Sequence, residues 1–254
     1  MASKNDRTHS YKNAQGTDTV HIECCVALEP SNETLKEILL TASESFSCCA
    51  DQPVKTLVQI DDGREKLGVA PHLTLYQLAI PVDNVNSACD SLRRIAARHN
   101  PVNTTTSTLD LNHREKDSVP IAVEIMYEKL SQQSSTANLL GLQSSVVTTL
   151  NPLRNGHLIE RDPTRRLVSD MFLDNVNVIE FGWSEGIEHF NPHLTLGWVG
   201  PDSHIAEPKF KGGSTHTFDT LTLFALGSHG TCVQKLYSCP LLANAAPANE
   251  APKY

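Results

Sequence analysis

The sequence predicts an α+β fold of two similar lobes, with antiparallel sheets flanked by helices and a cleft between the lobes. Strand-like runs occur mostly as hairpin pairs, and helical patterns lie between them. No glycine-rich phosphate loop follows any strand-like run, so nothing favours a Rossmann or P-loop domain. The string PHLTL occurs at 71–75 and again at 192–196, once in each half, as expected of two lobes related by pseudo-two-fold symmetry.

The composition excludes several classes of protein. Hydrophobic residues make up 39% and charged residues 20% of the 254 residues, as in ordinary soluble domains. The net charge of −8 disfavours a protein that coats a long duplex, so if a nucleic acid or nucleotide is bound, a small phosphorylated molecule or a short strand end is favoured. The sequence contains neither a secretory signal nor a transmembrane run, so we expect no membrane contact.

The seven cysteines predict a reducing compartment. Their number is odd, and two groups are the adjacent pairs Cys24-Cys25 and Cys48-Cys49, which suit neither a disulfide framework nor a Cys-x-x-Cys metal site. Buried thiols are the expected role. We expect a cytoplasmic protein that works as a monomer, with neither a metal nor a cofactor.

The two ends of the chain differ from the rest. Residues 1–18 are polar without periodicity, and residues 243–254 are rich in Ala, Pro and Asn, so both segments are predicted to be disordered. Residues 19–242 are predicted to form a single bilobed domain. Its first strand is HIECCVALEP at 21–30, and a helix follows with Ser31 as the N-cap.

The first PHLTL begins the next long strand, which runs to about Ile80. A short strand is expected before it at TLVQI, residues 56–60. A second helix follows the PHLTL strand, with Asp83 as its predicted N-cap and Asn100-Pro101 as its end.

The remaining elements are two hairpins and a helix. The runs TTTSTLDLN at 104–112 and VPIAVEIMY at 119–127 are separated by charged turn residues and predict the first hairpin. A leucine and valine stripe predicts a helix over about 129–153. The runs at 218–227 and 232–241 predict the closing hairpin.

The two PHLTL strings contain the candidate catalytic residues. In an extended strand, side chains two positions apart share a face, so His72 and Thr74 face one way and the leucines face the core. The same holds for His193 and Thr195. If the lobes set these strands side by side, two imidazoles and two hydroxyls meet in one cleft.

Such a group suits a phosphodiester. One neutral imidazole can take a proton from an attacking water or hydroxyl, and the other, protonated, can give one to the leaving oxygen. Threonine hydroxyls can hydrogen-bond the non-bridging phosphate oxygens and stabilise the charge that grows there. This chemistry needs no metal, and the motifs do not reveal which histidine is the base.

At these residues the sequence resembles the 2H phosphoesterase superfamily, which is named for two His-x-Thr/Ser-x motifs with a hydrophobic fourth position. The two motifs here are His72-Leu73-Thr74-Leu75 and His193-Leu194-Thr195-Leu196. The order of predicted elements over about 20–241 is also similar, and it looks closest to the branch of bacterial 2′-5′ RNA ligases and RNA 2′,3′-cyclic phosphodiesterases. The resemblance implies a bilobed fold with the two histidines as the acid-base pair and the two threonines as phosphate ligands.

The sequence departs from that branch after the second motif. An arginine that helps bind phosphate often stands there, whereas this chain has Trp198. Phosphate binding is then left to the threonines, to backbone donors or to a basic residue from elsewhere. Tyr76 stands four residues after His72 and Trp198 five residues after His193, and either could stack on a base at the cleft rim, with packing as the alternative.

The expected function is that of a metal-independent phosphodiesterase acting on 2′,3′-cyclic phosphates or 2′-5′ phosphodiester bonds of nucleotides or RNA ends. A ligase would use the same histidine pair in reverse. One alternative is a nuclease of 2′-5′ oligoadenylate or cyclic oligonucleotide signals. Another is a nucleotide-binding protein without turnover, which the presence of all four motif residues makes the weaker hypothesis.

Overall fold

The computed structural model describes residues 8–12, 18–46, 55–56, 71–112, 121–128, 134–156, 180, 187, 190–199, 210–226 and 232–242. Within these residues the main elements are nine strands and three α-helices. In chain order they are β1 Thr8–Lys12, β2 Asp18–Pro30, α1 Asn32–Phe46, β3 Lys55–Thr56, β4 Leu73–Pro81, α2 Val85–Ala96, β5 Val102–Asn112, β6 Ile121–Tyr127, α3 Ser134–Leu150, β7 His193–Val199, β8 Thr215–Leu226 and β9 Cys232–Pro240. Two 3₁₀ turns, Val82–Asn84 and Asn151–Arg154, precede α2 and follow α3.

The first sheet is built around β2. Residues 24–28 of this strand pair antiparallel with both β4 and β8, so β2 lies between them. β8 pairs on its other side with β9, and β1 pairs with the beginning of β2. The closing hairpin of the chain therefore joins the sheet of the first half.

The second sheet runs from β5 through β6 and β7 to β3, and all of its pairs are antiparallel. β5 belongs to both sheets, because residues 102–105 pair with β8 and residues 106–112 with β6. The two sheets are thus one curled surface that is continuous through β5.

One hydrophobic cluster contains buried side chains from both sheets and from all three helices. Ile38 of α1, Leu92 of α2 and Val146 of α3 are fully buried in it. Along β2, alternate residues belong to this cluster and to a second, smaller one, so the two clusters lie on opposite faces of the first sheet. The members of the second cluster are Cys25, Ala27, Ala79, Phe224, Leu226 and Cys232.

The beginning of α1 confirms the predicted N-cap. The Oγ of Ser31 accepts a hydrogen bond from the backbone N–H of Thr34 at 3.4 Å. This is the bond that an N-cap side chain makes to the third helical residue.

The predicted N-cap of α2 is wrong. Asp83 lies inside a 3₁₀ turn, and Asn84 is the N-cap of the helix that begins at Val85. The Asn84 side chain makes no capping bond; its amide donates to the carbonyl oxygen of Leu153 at 2.8 Å. A tertiary contact with the 3₁₀ turn that follows α3 thus takes the side chain that would otherwise cap.

Both predicted hairpins are confirmed, as β5 with β6 and β8 with β9. The predicted helix over 129–153 is α3, whose following turn ends at Asn155 and Gly156 with φ of 53° and 78°. The prediction of disorder for residues 1–18 is wrong for residues 8–12, because they form β1 against β2.

The C-terminal segment 243–254 lies outside the described residues, as does most of the TLVQI run, of which only Thr56 belongs to a described strand. The bounds 19–242 of a single domain remain a prediction. Among the helices in the described ranges, none is long and apolar enough to cross a membrane.

Candidate active site

The two PHLTL strings have the same strand register. In the first half, Leu28, Ala27, Val26 and Cys25 of β2 face Leu73, Thr74, Tyr76 and Gln77 of β4. In the second half, Ile125, Glu124, Val123 and Ala122 of β6 face Leu194, Thr195, Gly197 and Trp198 of β7. Each motif strand therefore carries one extra residue, a β-bulge, and in both strands it is the second leucine of PHLTL, Leu75 or Leu196.

The bulge changes which residues face the core. Thr74 lies opposite Ala27 and its Oγ1 is 3.7 Å from the Sγ of Cys25, so it belongs to the face of the smaller cluster. Because Leu75 is an extra residue, Tyr76 turns to the main core instead of following Thr74. We call the face that carries His72, Thr74 and the smaller cluster the motif face.

His72 lies at the edge of the smaller cluster and is 8% exposed. Its ring centroid is 6.1 Å from that of Phe224. The Sγ atoms of Cys25 and Cys232 and a ring nitrogen of His72 all lie within 4.8 Å of one another. An aromatic ring and two thiols therefore lie beside this histidine.

His193 has a different environment. Its Nδ1 lies 2.8 Å from the carbonyl oxygen of Asn191, and a carbonyl can only accept, so Nδ1 carries the hydrogen of this bond. The other ring nitrogen, Nε2, lies 3.9 Å from a carboxylate oxygen of Glu124, which is itself buried. In the neutral form of this tautomer the lone pair is on Nε2, where it can exchange a proton with a ligand.

The two motif strands contact each other in the described part of the chain. His72 and Thr74 share one face of β4, as the alternation predicts. On β7, Leu194 and Leu196 are buried in the main core, whereas His193 and Thr195 are half-buried. That the four polar motif residues act together stays a prediction.

Tyr76 does not have the exposure that base stacking needs, so the expectation for this residue is corrected. It is fully buried, and its hydroxyl donates to the Oδ1 of Asn151 at 3.2 Å. Burial raises the pKa of Tyr76 to about 12, and nearby Arg154 partly offsets the rise. Trp198 pairs through its backbone with Ala122 and Lys55, and its side chain lies outside the described residues, so its role stays a prediction.

Sequence reasoning missed a polar group on the motif face. Thr222 lies opposite Ala27 and Glu29 follows two residues after Ala27, so both share that face. The hydroxyl of Thr222 donates to Glu29, which pairs with Lys235. Lys235 of β9 lies opposite Phe224. It is a basic residue from elsewhere in the chain, as expected where Trp198 replaces the arginine. Once the strand pairs are known, the alternation of side chains along each strand places these residues on the motif face.

Comparisons with known proteins concern the fold. No protein-family model matches the chain, and neither does any curated protein. Among solved structures the chain is similar to TT0787 of Thermus thermophilus, with a TM-score of 0.50, 14% identity and coverage of 87% of this chain and 98% of that one. It is also similar to a protein described as a phosphoesterase, with a TM-score of 0.47, 15% identity and coverage of 87% and 98%. For E. coli LigT complexed with 3′-AMP the values are 0.46, 16%, 86% and 97%.

The curled antiparallel sheet and its three helices define an α+β protein of the predicted class. The likeness to TT0787 extends over nearly the whole of that chain. The chain thus shares its fold with TT0787, and the predicted α+β fold class is confirmed.

Proposed function

We propose that the protein is a metal-independent phosphodiesterase that acts on 2′,3′-cyclic phosphates or 2′-5′ phosphodiester bonds of nucleotides or RNA ends. The observation that carries the proposal is the repeated geometry of the two PHLTL strands. They have the same register and the same bulge, and they contact each other. A backbone repeated to this degree is expected to present its two His-x-Thr pairs to one substrate.

The histidines supply the proton transfers. His193 is held through Nδ1 by the carbonyl of Asn191, so Nε2 is the atom that exchanges a proton with the substrate or its leaving group. His72 performs the complementary transfer from the motif face of the first sheet. In hydrolysis, one histidine takes a proton from water while the other gives one to the departing ribose oxygen.

The threonines hold the phosphate. The hydroxyls of Thr74 and Thr195 each donate to a non-bridging oxygen and stabilise the charge that grows in the transition state. Lys235 is our candidate for the cation that the missing arginine would supply, because it lies on the motif face beside Phe224. It pairs with Glu29, and its side chain is 40% exposed, so a ligand can reach it.

The test is turnover of 2′,3′-cyclic mononucleotides and a 2′-5′-linked dinucleotide in the presence of EDTA. We expect activity in the parent protein and a loss of at least roughly 10²–10⁴-fold in His72→Ala and in His193→Ala, because each variant lacks one proton-transfer group. His99→Ala is the matched control, since His99 is half-buried beside the groove between α2 and α3.

The outcomes separate the hypotheses. Activity that survives in both motif variants would contradict the two-histidine mechanism. Turnover of 2′-5′ oligoadenylate or a cyclic oligonucleotide, with none of the first two substrates, would favour the nuclease of signalling nucleotides. Binding of these nucleotides that is unchanged in His72→Ala, with no turnover by the parent, would favour a binding protein.

A further inference from the structure

Three potential metal ligands meet on the motif face. They are the Sγ atoms of Cys25 and Cys232 and a ring nitrogen of His72, and all three lie within 4.8 Å of one another. Cys25 is in β2, His72 immediately precedes β4, and Cys232 begins β9. β4 pairs directly with β2, and β8 joins β2 to β9, so one sheet fixes all three backbones.

The donor set and the spacing suit a borderline-soft cation. Zn²⁺ binds thiolates at about 2.3 Å and imidazole nitrogens at about 2.0–2.1 Å, which sets the ligand atoms of a tetrahedral site roughly 3.5–3.8 Å apart. Separations of up to 4.8 Å therefore need side-chain shifts of only about 1 Å. Three protein ligands leave a fourth position open to water or to a ligand oxygen.

Cation binding at the two thiols would leave the net charge of this place unchanged. Both side chains are fully buried. When a divalent cation binds, two S–H bonds break, two metal–sulfur bonds form and two protons pass to solvent. The added charges of +2 and −2 cancel, so the buried site gains no net charge.

We propose that Cys25, His72 and Cys232 bind Zn²⁺ or a similar divalent cation, and that occupancy inhibits the enzyme. The inhibition rests on the proposed function, in which His72 moves a proton with a ring nitrogen. A neutral imidazole has one nitrogen lone pair and coordination uses it, so a metal-bound His72 cannot act as acid or base. In the second half, Ala122 stands at the register position of Cys25 and offers no ligand atom. The proposed cation therefore binds His72 and not His193.

The binding test uses Co²⁺ as the probe with the full-length, reduced protein. We expect a thiolate-to-cobalt charge-transfer absorption that saturates at one equivalent and that Zn²⁺ abolishes. Cys232→Ala should weaken binding by roughly tenfold or more, because it removes one of three ligands. Cys24→Ala is the matched control, since Cys24 is an equally buried thiol on the opposite face of β2.

Absence of the absorption in the parent protein, or the same affinity in Cys232→Ala, would overturn the metal site and leave the three side chains as a packing cluster. If Cys232→Ala does not fold, as judged by circular dichroism, Cys232→Ser gives the same comparison with a side chain of nearly equal size. A disulfide between Cys25 and Cys232 that forms in preference to the metal complex would also overturn the site.

The inhibition test measures phosphodiester turnover in parent, Cys24→Ala and Cys232→Ala proteins with added Zn²⁺, followed by excess EDTA. We expect reversible loss of activity in the first two proteins and resistance in Cys232→Ala. Cobalt binding without inhibition by Zn²⁺ would refute the regulation and keep the site. Cobalt binding by a protein that turns over no substrate would refute the proposed function and the inhibition together, and keep the site.

Discussion

The two motif strands, β4 and β7, have the same register and the same bulge, but different residues lie beside them. Opposite the threonine of each motif stands Ala27 in the first half and Glu124 in the second. Two positions further along the partner strand stands Cys25 in the first half and Ala122 in the second. The strand register is thus repeated in the two halves, whereas the groups that surround the imidazole are not.

This difference teaches that the two histidines are chemically distinct although their motifs are identical. His72 lies among thiols and against Phe224. His193 has a backbone carbonyl at one ring nitrogen and a buried carboxylate near the other. Matching threonines should therefore contribute alike, while groups that touch only one histidine should act in only one half.

After the histidine variants, the largest expected effect concerns the threonines. Thr74→Val and Thr195→Val each remove a hydroxyl at nearly constant size, and a hydrogen bond to a charged phosphate contributes about 1.5–3 kcal/mol. We expect kcat/KM to fall roughly 10- to 150-fold in each variant, measured by initial rates. Thr220→Val is the control, because the Thr220 hydroxyl donates to Asp219 instead. A loss confined to one variant would show that only one half holds the phosphate.

Glu124 should affect one half alone. Its carboxylate oxygen lies 3.9 Å from Nε2 of His193, so it is in a position to orient that ring. We expect Glu124→Ala to lower kcat about tenfold with little change in KM, since misplacement of a proton-transfer group slows the chemical step. Glu124→Gln should restore most of the rate. Equal losses in both variants, with a displaced pH–rate profile, would mean that the charge itself acts in catalysis.

The stability contributed by the contact between the two sheets should depend on pH. Tyr127 of β6 and His216 of β8 lie 2.9 Å apart from oxygen to Nδ1 and join the two sheets. Burial lowers the pKa of His216, and Glu37, 3.7 Å from its Nε2, partly offsets the decrease. The unfolded chain therefore takes up the proton first as the pH falls. Stability should decrease as the pH drops below about 6.5, the usual histidine pKa, until the folded-state pKa is reached.

The measurement is the free energy of unfolding in urea between about pH 7.5 and 5.5, a range that spans the usual histidine pKa. One proton contributes at most about 1.4 kcal/mol per pH unit. His216→Asn cannot titrate, so its profile should be flatter than that of the parent protein. Identical profiles in the two proteins would assign the pH dependence to other groups.

Local patterns predicted the elements, and long-range pairing decided the site. The hairpins and helices follow from alternation and from 3.6-residue periodicity, which are properties of short segments. The pairing of β8 with β2 is not a property of either segment, so the joining of the closing hairpin to the first sheet was not predicted. For the same reason Cys25, His72 and Cys232, distant in the chain, gave no sequence signal as a group.

The smallest expected effect tests the β-bulge, which even or odd spacing of residues in the sequence cannot reveal. Tyr76 fills the core where its counterpart in the second half is Gly197. Tyr76→Phe keeps the ring and removes one hydrogen bond to Asn151, whose oxygen still accepts from Arg154 at 2.9 Å. We expect a loss of about 1 kcal/mol in the free energy of unfolding, with kcat and KM unchanged. An increase in KM without loss of stability would instead mean that the Tyr76 hydroxyl contacts the substrate, and that the bulge does not keep this side chain in the core.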